Sequence, residues 1–213
     1  MHTVMIKKLF IILASLAFAG SLHAQDNKLG FKGGLNISKV FAENADKSNP
    51  RVGYHAGVFV KLALNRFLAL QPELLYSTKG ACIEYNNGNV NGMANFNLNY
   101  FDIPVMGVIN ITRRYSIHAG PYFGILTQVT LENESTGSES FDFESELKRD
   151  NFSQTDFGIA GGIGADFGKA GFGIRYSYGL TNIGKEKIFN GQSLQFPDGN
   201  HGYFQLYLAL SFL

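Results

Sequence analysis

Large apolar residues recur at every second position in eight segments of this chain, with polar or small residues between them. A period of two sends neighbouring side chains to opposite faces of a sheet. In 29–39, Leu29, Phe31, Leu35 and Ile37 share one face, and Lys32, Asn36 and Ser38 share the other. In 54–64, Tyr54, Ala56, Val58, Val60, Leu62 and Leu64 stand opposite His55, Phe59 and Lys61. The pattern returns in 67–79, 97–111, 115–129, 155–167, 171–180 and 203–213. Composition agrees: 25 Gly, 19 Phe and 10 Tyr suit pleated surfaces, turns and tight barrel corners.

The connections alternate too. Short ones sit at Asn65-Arg66, Thr112-Arg113-Arg114 and Gly168-Lys169-Ala170; long ones span 40–52, 80–96, 130–154 and 181–202. Transmembrane barrels have tight periplasmic turns, long external loops, and strands of about ten residues with outward apolar faces. The two alternations together predict an all-β fold, an eight-stranded antiparallel up-and-down transmembrane β-barrel. A chain that enters from the periplasm through eight strands returns there. Both termini and every short turn are therefore expected on the periplasmic side.

A soluble periplasmic lipocalin-like binding barrel shares the strand count and is the competing architecture. The two differ in which face is apolar. A lipocalin keeps its large apolar residues inside, whereas a membrane barrel turns them outward around a polar interior. Here the polar-phase faces carry Lys32, Lys61, Glu73, Lys79, Asp102, His118, Asp156, Asp166 and Arg175. That is too much charge for a lipid pocket. Eight strands leave an interior only wide enough for side chains, and unpaired buried charges are very costly. The charges are therefore expected to pair in one structural network of Lys61, Glu73, Asp102, His118, Asp156 and Arg175, rigidifying the barrel rather than conducting.

The first residues read as an address. Lys7 and Lys8 precede an uncharged apolar run from Leu9 to Ala19, closed by Leu22-His23-Ala24. This is the secretory pattern, with cleavage expected after Ala24. Residues 1–24 are thus a cleaved signal peptide and 25–213 one barrel domain. Lys+Arg is 18 against 17 Asp+Glu, a balance that gives no reason to propose nucleic acid as a partner. The single Cys82 has no intramolecular partner for a disulfide. Gly161-Gly162-Ile163-Gly164 lies in a period-2 strand and opens no helix, so it is no nucleotide loop. The glycines are better explained as small lumen residues beside larger neighbours. The histidines show no metal-ligand spacing, and no Ser/His/acid set in the strands has suggestive spacing. No enzymatic activity, metal or cofactor is expected.

Several segments together resemble a known family. They are Gly30-Phe31-Lys32-Gly33-Gly34-Leu35-Asn36-Ile37-Ser38, then Gln71-Pro72-Glu73-Leu74-Leu75-Tyr76-Ser77-Thr78-Lys79-Gly80, then Tyr100-Phe101-Asp102-Ile103-Pro104. Gly120-Pro121-Tyr122 and Arg175-Tyr176-Ser177-Tyr178-Gly179-Leu180-Thr181-Asn182-Ile183 follow in order. The chain resembles the outer-membrane β-barrel domain family of Gram-negative bacteria that includes the PorT-like proteins. The resemblance implies outer-membrane location, lipids as surroundings, and the barrel-insertion machinery as a partner during biogenesis. It also implies, as an alternative to a structural or interaction role, a PorT-like component for assembling a secretion system. The loop 130–154 is acidic: Glu132, Glu134, Glu139, Asp142, Glu144, Glu146 and Asp150 outnumber Lys148 and Arg149. It is read as a solvated external loop, one of four on which a protein partner could be met.

Overall fold

Strand pairing runs from each strand to the next and then closes on itself. The computed structural model describes residues 27–42, 48–86, 91–135, 153–181, 187–189, 192–194 and 199–212. The expected signal peptide lies outside them, as does most of the acidic loop. We number the barrel strands β1 (Lys28–Ala42), β2 (Arg51–Ala63), β3 (Leu68–Asn86) and β4 (Asn91–Asn110). The remainder are β5 (Tyr115–Ser135), β6 (Thr155–Phe167), β7 (Ala170–Gly179) and β8 (Gly199–Ser211). Every neighbouring pair is antiparallel, and β1 pairs with β8 from Gly30↔Ser211 to Ala42↔Gly199. The sheet is thereby a closed eight-stranded barrel with no edge along this length. A closed barrel satisfies its backbone groups between strands, the condition for placing β structure in hydrocarbon.

The turns form where local chemistry permits. Asn65 Oδ1 accepts the backbone N–H groups of Phe67 and Leu68, at 2.8 and 2.9 Å. Thr112 Oγ1 does the same for Arg114 and Tyr115, at 3.1 and 3.0 Å. Between β6 and β7 the chain reverses through Gly168-Lys169, with Phe167 paired to Ala170. Gly168 has a φ of 66° there, a conformation that suits glycine. These three turns share one rim with the start of β1 and the end of β8. We call it the turn rim, and the opposite end the loop rim.

Burial follows the period of two. Phe31, Leu35, Val58, Phe101, Ile117, Ile159, Ile163, Phe172, Leu206, Leu208 and Leu210 are all exposed on the outside. Lys32, Glu73, Lys79, Asp102, Asp156 and Arg175 are buried inside. This is the inverse of a lipocalin, so the soluble binding-barrel alternative fails on sidedness. Aromatic contacts lie towards both ends of the apolar belt. Phe31 meets Phe212 and Phe167 stacks on Phe172 near the turn rim, while Tyr76 meets Phe101 and Tyr176 meets Phe204 further up. Such rings suit the membrane–water interface.

One expectation needs correcting. Residues 80–96 are not a long loop. β3 and β4 continue as a ladder from Gly80↔Asn97 to Asn86↔Asn91, and β4 pairs with β5 as far as Gly92↔Ser135. Alternation of large apolar residues fades here, so the sequence pattern stopped at the belt while the hydrogen-bond ladder ran on. The interior also holds apolar side chains. Phe59, Leu75, Leu98, Met106, Val108 and Leu126 are buried. They occupy lumen-side positions because an enclosed space this narrow must be packed as well as charge-balanced.

The sidedness makes a depth-dependent prediction. Leu208 lies mid-belt on β8 and Phe212 at the turn rim. Leu208→Arg should destabilise the barrel in liposomes by about 2–4 kcal/mol, and Phe212→Arg by about 0–1 kcal/mol. Urea unfolding read by circular dichroism compares them; equal costs would contradict the assigned membrane belt.

Candidate functional site: the lumen

The interior is the place where chemistry-bearing side chains converge, and its ion pairs fall into three separate layers. At the turn rim, Lys28 of β1 and Lys61 of β2 both reach Asp166 Oδ2 on β6, at 3.1 and 3.3 Å. These groups are partly exposed, so water screens the attraction and the pairs contribute little.

The middle layer is dry. The Arg175 guanidinium on β7 donates to Glu73 on β3 through both terminal nitrogens, at 2.9 and 2.8 Å. Lys32 Nζ of β1 reaches the same carboxylate at 2.6 Å, and Gln71 Nε2 donates to it at 2.7 Å. A bidentate guanidinium–carboxylate pair is among the stronger and more directional contacts available. Lys32 Nζ also lies 4.1 Å from the Tyr207 ring centroid. The ring face thus adds to the stabilisation of a cation removed from water.

The third layer, further towards the loop rim, inverts the ratio. Lys79 Nζ on β3 contacts Asp102 Oδ1 of β4 at 2.9 Å and Asp156 Oδ2 of β6 at 3.3 Å. Tyr122 of β5 donates its hydroxyl to Asp156 Oδ2 at 3.1 Å. Three tyrosine rings surround the ammonium: Tyr203 at 4.5 Å, Tyr100 at 4.7 Å and Tyr122 at 5.0 Å. Lys79 thus exchanges its water shell for two carboxylates and an aromatic cage. Leu98 and Leu126 pack with Tyr100 as an apolar cluster beside this layer.

A neutral network ties in β1. Asn36 donates to the backbone carbonyls of Tyr54 and Thr78, both at 3.1 Å. Its Oδ1 meets His55 Nδ1 at 2.8 Å and accepts from Gln205 Nε2 at 3.2 Å. The glycines of β6 also acquire a role. A Cβ on Gly162 would lie 2.8 Å from His118 Nε2, and one on Gly164 2.8 Å from the Tyr207 hydroxyl. Both positions face the lumen and leave space for those rings.

The six residues expected to form one network divide among these layers. Glu73 and Arg175 meet directly, and Asp102 and Asp156 share Lys79. Lys61 does not join Glu73; it pairs with Asp166 at the mouth. His118 is buried beside Tyr207 and makes no ion pair among the described residues; its ring centroid is 6.0 Å from that of Tyr207. Lys32 and Lys79, which complete the two dry layers, are absent from the expected set. Their signal was present as polar-phase positions on β1 and β3. Alternation places a side chain in the lumen but says nothing of its height along the axis.

Removing one member of a dry layer strands the others. Arg175→Leu leaves Glu73 with Lys32 but without its bidentate partner. The loss should be about 3–5 kcal/mol, the usual effect of breaking a buried pair. The urea midpoint in detergent should fall accordingly; an unchanged midpoint would show that the Arg175–Glu73 contact does not stabilise the barrel.

Comparison with known proteins places this architecture. The family model described as outer membrane protein beta-barrel domain matches residues 23–184. None of the curated proteins matches the chain. Among solved structures, Neisserial surface protein A is 12% identical, with 86% of this chain and 97% of that one covered and a TM-score of 0.51. Ail, the attachment invasion locus protein of Yersinia pestis, is 11% identical over 88% of this chain and 100% of its own, at a TM-score of 0.48. OprG from Pseudomonas aeruginosa is 13% identical over 87% and 93%, at 0.45. At such identities the Neisserial protein shows a shared fold and nothing further. The family match covers most of the sequence and agrees with the closed barrel, the outward apolar belt and the enclosed ion layers: the chain belongs to the outer membrane protein beta-barrel domain family, and its belt sits in the outer membrane.

Proposed function

We propose that this protein is a sealed, non-enzymatic display barrel, whose work is done by the segments it carries at the loop rim. The observation that carries this reading is the filled lumen. The Glu73 and Lys79 layers bring side chains from β1, β3, β4, β5, β6 and β7 across the interior. The Leu98, Tyr100 and Leu126 cluster packs beside them, which supports a lumen closed to solutes. Conduction would require ions to pass through buried pairs whose partners cost too much to separate.

The turn rim is taken as the periplasmic one, because short turns face the periplasm in outer-membrane barrels. Partners at the loop rim would then be met outside the cell. An assembly role in a secretion machine is a narrower version of this interaction role. It rests on the motif resemblance, and co-purification of secretion components with the barrel is its test.

Two measurements check the main reading. Purified protein in planar bilayers should give no resolved single-channel steps; reproducible unitary currents would overturn the sealed lumen. On intact cells, protease should cut within 137–147, while a tag inserted at Asn65-Arg66 should react only after the outer membrane is permeabilised. The reverse pattern would invert the assigned orientation.

A further inference from the structure

Charge is unevenly divided along the barrel axis. The ion-paired groups of the turn half are four cations, Lys28, Lys32, Lys61 and Arg175, against two carboxylates, Glu73 and Asp166. These paired groups carry an excess of two positive charges. The layer towards the loop rim has Lys79 against Asp102 and Asp156, an excess of one negative charge.

The positive half also has space in it. A vestibule at the turn rim is lined by Lys28, Lys32, Lys61, Asp166 and His118 among others. Its cavity volume is about 30 Å³. Since one water needs roughly 10–15 Å³ by this measure, the enclosed part holds about two or three waters. His118 forms part of the wall and is 4% exposed; its Nε2 has no hydrogen-bond partner among the described residues. A pocket whose lysines outnumber its one carboxylate, set in low-dielectric walls, concentrates anions.

We propose that this vestibule is a binding site for a small free oxyanion of the phosphate class. Asp166 marks the chemistry, because its Oδ2 is already held by two amines at 3.1 and 3.3 Å. An incoming oxyanion would share Lys28 and Lys61 with Asp166 and compensate the excess charge that Asp166 and Glu73 leave. The enclosed volume is too small for a sugar or an acyl chain. None of the outward apolar residues of the belt lines it, so a free anion fits better than the headgroup of a membrane lipid.

Titration calorimetry of the purified barrel in detergent, with inorganic phosphate against sodium chloride at matched ionic strength, tests this. Phosphate should bind saturably at one site per barrel, and chloride should not reproduce the isotherm. Asp166→Asn removes the competing carboxylate and should tighten phosphate binding by about tenfold. Lys28→Met with Lys61→Met should abolish it while circular dichroism shows an intact barrel. Should that double variant misfold, the Asp166→Asn result decides alone. Glycerol phosphate should bind far more weakly; equal binding would overturn the free anion as occupant. Absence of saturable phosphate binding in both the wild type and Asp166→Asn, or full binding in a folded double lysine variant, would overturn the site.

Discussion

Closure of the sheet is the constraint from which the other features follow. In hydrocarbon an unpaired backbone N–H or C=O costs several kcal/mol, so β structure survives there only as a closed barrel. Pairing of β1 with β8 makes that closure here. Once the sheet is closed, each strand has one face in lipid and one in a tube too narrow for bulk water. The outer face must be apolar, and the inner face must be filled. Every charge on the inner face then needs a partner within reach, because no solvent remains to supply one.

The two dry layers meet that demand in reciprocal ways. Around Glu73, one carboxylate is held by a guanidinium, an ammonium and an amide. Around Lys79, one ammonium is held by two carboxylates and three tyrosine rings. Each layer joins strands that are not neighbours in the sheet: Glu73 on β3 meets Arg175 on β7, and Lys79 on β3 meets Asp156 on β6. Ladder hydrogen bonds fix adjacent strands, whereas these crosslinks fix the cross-section. Separating them exposes a buried charge, which opposes breathing of the barrel. The turn-rim layer differs because its groups are partly exposed, and exchange there is cheap.

The strands and their sidedness were legible because both are consequences of a period of two. Alternation alone assigns Phe31, Leu206 and Leu208 outward, and Lys32, Glu73 and Arg175 inward. Two things were not legible. The first is the height of a lumen side chain along the axis, which depends on strand tilt and register. Lys61 and Glu73 occupy the same phase on adjacent strands, yet Lys61 pairs at the mouth and Glu73 in the dry middle. The second is the extent of β3, β4 and β5, because a ladder held by backbone groups needs no apolar alternation. Leu75 was obscured for a related reason: an apolar residue in the polar phase breaks the pattern without breaking the fold.

The length of those strands bears on how the loop rim presents itself. A tilted strand needs about 9–11 residues to cross the hydrocarbon, while β3, β4 and β5 have 19, 20 and 21. The aromatic pair Tyr76 and Phe101 lies near the upper limit of the belt on β3 and β4. Pairing continues above it to Asn86↔Asn91 and to Gly92↔Ser135. The described ends of β3, β4 and β5 therefore form a three-stranded ladder continuous with the barrel wall. Main-chain hydrogen bonds set the orientation of that ladder, and the lumen crosslinks hold the wall from which it rises. Folding has thereby already met the cost of ordering this backbone, and closure of the barrel below fixes the base on which the ladder stands.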